Sequence, residues 1–71
     1  MIKSETIKTT EVTIQHIHKA LHSVQQEIQY YKDIKQDRYK TNIDYAHLVH
    51  AKEWLEDSLN RAELALRNLK A

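Results

Sequence analysis

The feature that most constrains this chain is a hydrophobic repeat stepping by threes and fours. Ile14, Ile17, Leu21, Val24, Ile28 and Tyr31 follow one another at steps of three, four, three, four and three. With Ile14 at heptad position a, Ile17 falls at d, and the two letters alternate as far as Tyr31. A repeat averaging about 3.5 residues draws a narrow apolar stripe down one side of a helix, the pattern of a coiled coil or bundle. The register runs back to Ile7 at a and Thr10 at d, and breaks at Lys35, where a charge takes position a.

A second stripe begins a few residues later. Tyr45, Leu48, Lys52, Leu55, Leu59, Ala62, Leu66 and Leu69 alternate as a and d. Thr41 followed by Asp44 reads as a capping pair, and the acid suits the positive end of a helix. Asp57 to Arg61 and Glu63 to Arg67 are acid-first pairs four apart, while Arg67 and Lys70 place positive charge in the last turn. Lys52 is the one charge in this seam, where its long stem can snorkel or mark a register.

Composition removes the competing classes. The 71 residues contain no Gly, Pro or Cys. Without Gly and Pro the usual chemistry of tight turns, hairpins and phosphate-cradling loops is missing. Without Cys there is neither a disulfide framework nor a thiolate. The formal net charge of +1 does not suit a uniformly basic nucleic-acid binder or an acidic mimic of one. No apolar run approaches the roughly 20 residues that span a bilayer, and the first residues lack the apolar segment of a signal peptide. The expected location is cytoplasmic.

Residues 2–14 hold eight β-branched side chains (Ile2, Thr6, Ile7, Thr9, Thr10, Val12, Thr13 and Ile14), a composition that favours extended backbone over helix. Residues 1–8 are therefore expected to be frayed or extended, with a first helix over 9–35. A turn over 36–41, where the seam breaks and polar residues cluster, leads to a second helix over 42–70. Because no Gly forces the break, one continuous helix is the alternative. The expected fold class is all-α, an antiparallel two-helix hairpin with heptad-like seams.

Two helices cover each other's stripe from one side only, and the bookkeeping for so small a chain comes out near zero at about 25 cal/mol per Å² buried. Assembly into a dimeric four-helix bundle, or a larger one, is the expected remedy. The residues expected to carry it are Ile14, Ile17, Leu21, Val24, Ile28 and Tyr31 with Leu48, Leu55, Leu59, Leu66 and Leu69. Trp54, Tyr30 and Tyr39 lie off the seam and are candidates for contacting another protein, since Trp and Tyr dominate interface hot spots. The plain alternative is that they are scattered exposed apolar groups, which are common.

Two clusters bear on chemistry. His18 and His22, four apart on one helix face, are a candidate metal pair, with Asp57 as a possible third ligand across a hairpin. His16, His47 and His50 complete an unusual total of five, yet all five fall at b, c, e or f, where solvated imidazoles suffice. Between residues 30 and 40, Lys32, Lys35, Arg38 and Lys40 alternate with Tyr30, Tyr31 and Tyr39. Basic groups interleaved with aromatics can grip phosphates and stack on bases, although Asp33 and Asp37 also suit a solvated turn. No nucleophile elbow or phosphate loop is present, so neither an enzyme nor a cofactor is expected.

The run Ala51-x-x-x-Leu55-Glu56-Asp57-Ser58-x-x-x-Ala62 is similar in rhythm to the last helix of small phage-encoded anti-CBASS sponges. That likeness is confined to residues 51–62, implies a helical oligomer that sequesters cyclic nucleotides, and carries over no binding residue. The functional expectation is a small non-enzymatic interaction protein, a bacterial or phage accessory or inhibitory factor, whose partners are itself and another protein. A nucleic-acid- or nucleotide-binding module using residues 30–40 is the alternative.

Overall fold

The computed structural model describes residues 2–35 and 43–71. The described residues form two helices, α1 over Ile2–Lys35 and α2 over Ile43–Lys70. Tyr31 meets Tyr45 at one end of the pair, while Glu11 meets Lys70 at the other. The helices therefore run antiparallel, as a hairpin, and a single continuous helix is ruled out. Its long dimension of 52 Å, against 15 and 14 Å across, is close to the rise of a 34-residue helix at about 1.5 Å per residue. The turn expected over 36–41, and Thr41 of the capping pair, lie outside the described residues.

Side-chain burial follows the repeat. Ile7, Thr10, Ile14, Ile17, Leu21, Val24 and Tyr31 are half-buried, and Ile28 is the one residue of α1 exposed by less than a tenth, at 8%. In α2 every a and d position from Tyr45 to Leu69 is half-buried, Lys52 among them. At Lys52 the aliphatic stem supplies the seam with apolar surface where a leucine would otherwise stand.

The start of α1 corrects one expectation. Residues 2–8 are helical rather than frayed or extended, so the helix begins at Ile2 and not near Thr9. Part of the reason is local. The hydroxyls of Thr6, Thr10 and Thr13 donate to the carbonyls of Ile2, Thr6 and Thr9, at 2.9, 2.7 and 3.0 Å. Such bonds to the preceding turn settle the threonine rotamer inside a helix. The other part is tertiary: Ile7 and Thr10 continue the seam along α2, and packing overrides a weak propensity.

At the far end, Ala71 N–H donates to the Arg67 carbonyl at 3.1 Å, extending the ladder past the last turn. Of the two acid-first pairs in α2, Asp57–Arg61 closes at 3.1 Å, whereas Glu63 and Arg67 do not reach ion-pair distance among the described residues. An exposed pair of this kind contributes only a few tenths of a kcal/mol, about 0.3–0.5, so one open pair leaves the helix intact.

Because Ile28 is the deepest side chain, Ile28→Ala is expected to cost about 2–3 kcal/mol in a urea titration followed by circular dichroism. Val12→Ala, at an outward position of the same helix, is expected to be neutral or slightly stabilising, since Ala is the better helix former.

Candidate interaction surface

The hairpin is a layer one helix thick, so it has two broad faces. The contact between Glu11 and Lys70, at 3.6 Å, fixes which residues share them. Glu11 is at heptad position e of α1 and Lys70 at position e of α2, so the e positions of both helices line the same face. The b positions flank them, because a helix read around its circumference runs a, e, b, f, c, g, d at about 100° per residue step. The g and c positions of both helices then line the opposite face.

The two faces differ in chemistry. The e/b face carries Lys8, Glu11 and Lys32 from α1, and Glu53, Glu56, Glu63, Arg67 and Lys70 from α2. On the g/c face the ionised groups among the described residues are Glu27, Asp44 and Arg61. In their place stand small side chains, Ala20 and Ser23 on α1 with Ala51, Ser58 and Ala65 on α2. Ala51 and Ser58 are half-buried although they are off the seam, while Ala20 and Ala65 are exposed.

Exposed large apolar residues follow the same division. Ile2, Tyr30, Ile34 and Trp54 occupy c or g positions, while Val12, Ile43 and Leu64 occupy f, on the outer ridge of each helix. None of these lies at e or b. Trp54 is 72% exposed and Tyr30 58%. Trp54 and Tyr30, two of the three candidates for contacting a partner, therefore lie on the face with few charges, together with Ile34. Trp54 and Tyr30 stand out in the sequence as partner candidates, whereas Ile34 and the small residues between them do not. Heptad lettering was the available signal, and it became useful only once the e-to-e pairing was known.

Near the connection, three tyrosines form a chain of edge-on contacts. Tyr30 and Tyr31 have ring centroids 6.0 Å apart at 85°, and Tyr31 and Tyr45 are 6.3 Å apart at 65°. Edge-to-face pairs add about 0.5–1.5 kcal/mol beyond the area they bury. Tyr31 is thus a clamp between helices, while Tyr30 leans on it from outside. Of the basic cluster, Lys32 is exposed on the e/b face, which separates it from Tyr30. Lys35 closes α1, and its side chain, together with Arg38, Tyr39 and Lys40, lies outside the described residues. Gln29 donates to the Asp33 carboxylate at 2.9 Å on the outside of α1.

The histidines do not gather. His18 and His22 are both exposed, and among the described residues no three His, Cys, Asp or Glu side chains come together as a metal site. Asp57, the candidate third ligand, is paired with Arg61. A groove of about 610 Å³ runs along α1 between Glu5 and His16. Its walls come from one helix, so it is an open trough rather than an enclosing pocket. Among the described residues no helix is long and apolar enough to cross a membrane.

Tyr31→Ala is expected to destabilise the chain by about 2 kcal/mol and Tyr30→Ala by under about 1, read from urea midpoints. Two exposed imidazoles make half of a tetrahedral site. Zn²⁺ is accordingly expected to leave the melting temperature unchanged, and a rise abolished by His22→Ala would establish a site there. Comparison of the chain with protein-family models, with curated proteins and with solved structures found no match.

Proposed function

We propose that this chain is a small non-enzymatic helical interaction protein that acts through self-association and protein–protein binding. The observation that carries this reading is the incomplete burial of a seam that runs the length of both helices. Among the described residues only Ile28 is closed off from solvent, and the other seam residues keep part of their surface in water. A compact protein of 8.5 kDa exposes about 4,650 Å². This chain exposes 5760 Å², an excess of about 1,100 Å² over that expectation. One partner in a standard protein–protein interface covers about 800 Å². An excess of that order is enough for one further contact of standard size.

The surface features agree with that role. A flat double helix presents long faces rather than a cleft, which suits recognition of another helix or helical layer. Trp54 and Tyr30, large and outward-facing on one side, are the residue types that anchor such contacts. A cytoplasmic accessory or inhibitory factor of a bacterium or phage fits the size and the lack of staples.

Sedimentation across the micromolar range tests the reading. The mass is expected to rise from the 8.5 kDa of one chain toward a multiple of it, with the melting temperature rising in step because assembly stabilises the folded form by mass action. A chain that stays monomeric and fully folded throughout would overturn it.

A further inference from the structure

We propose that the g/c face is where a second copy of this chain docks, pairing the hairpins face to face as a four-helix bundle. This rests on the self-association reading above and adds to it the face and the occupant.

Three observations converge on that face. The first is charge. Covering the e/b face would strip water from eight ionised side chains, which is costly unless each finds a partner. The g/c face holds only Glu27, Asp44 and Arg61 among the described residues. The second is relief. Ala20, Ala51, Ser58 and Ala65 keep this face low along its middle, and small side chains let a neighbouring helix approach closely enough to reach the seam residues beneath. The third is apolar surface. Tyr30, Ile34 and Trp54 are exposed here, at 58, 62 and 72%, while the e/b face carries no large exposed apolar side chain among the described residues.

Area selects the occupant. The excess of about 1,100 Å² exceeds what each partner of a standard dimer covers, about 800 Å². It is spread along a layer 52 Å long and about 15 Å wide, so the cover must be an equally long and narrow layer. A second hairpin has that shape, and it carries the same deficit. One isologous contact removes both deficits at once, and two-fold pairs of this kind are the commonest oligomers. The result has the four-helix geometry in which a, d and flanking positions are covered from two directions.

The test uses Trp54, the only tryptophan in the chain, and a pair of charge-matched variants. Ala20→Glu with Ala65→Glu places two carboxylates on the g/c face. Gln15→Glu with Gln25→Glu adds the same charge on the e/b face. All four positions are exposed in the single chain, and Glu is a good helix former. In the parent, sedimentation across the micromolar range is expected to show a dimer, and Trp54 emission is expected to shift to the blue and lose iodide quenching as the dimer forms. The A20E/A65E chain is expected to dimerise at least about tenfold more weakly, since like charges face one another across the two-fold axis, and the Q15E/Q25E chain to match the parent. An assembling parent whose Trp54 emission does not move, or whose dimer is weakened only by Q15E/Q25E, overturns the choice of face and leaves self-association standing. A parent that never assembles overturns both. Should A20E/A65E fail to fold, the parent's Trp54 emission decides the matter without it.

Discussion

Everything in this molecule depends on a stripe of side chains shared between two antiparallel helices. The stripe is continuous from Ile7 to Tyr31 on α1 and from Tyr45 to Leu69 on α2. Each helix can cover the other from one direction only, so the hydrophobic effect that joins them is half used. Among the described residues Ile28 alone passes below a tenth exposed. A long thin hairpin gains its helices from this contact and still carries more surface than a compact chain of the same mass. The elongated shape and the incomplete burial of the seam are two consequences of one geometry.

Electrostatics makes the two faces of the layer unequal. Glu11 and Lys70 contribute little energy at half-exposed positions, because surface ion pairs are worth about 0–1 kcal/mol. Their value is geometric, since their contact identifies the e-lined face and, by elimination, the g-lined one. One side is a dense mixture of acids and bases that water solvates well. The other is low, sparsely charged and edged by Tyr30, Ile34 and Trp54.

Among the described residues the titratable side chains lie on extended helix surface and do not converge on one point. The described histidines are spread over the outside of α1 and α2, and the groove beside Val12 belongs to a single helix.

The heptad seam, its one charged position at Lys52 and the helical class were legible in the sequence, because period and register are local properties of a chain without Gly or Pro. The start of α1 was misread from β-branched composition: Thr6, Thr10 and Thr13 bond back to the helix, and Ile7 and Thr10 gain a packing partner that propensity ignores. Asp57, a candidate third ligand across the hairpin from His18 and His22, pairs with Arg61 one turn along its own helix. Heptad letters put Trp54, Tyr30 and Ile34 off the seam, but letters on two separate helices do not say which of them end up side by side. Only the antiparallel pairing did that, bringing e against e and so gathering the small and apolar g and c residues on one face. By itself the sequence determined that there would be helices and which edge of each would be buried. The tertiary structure decided how those edges meet, because facing is a relation between elements distant in the chain.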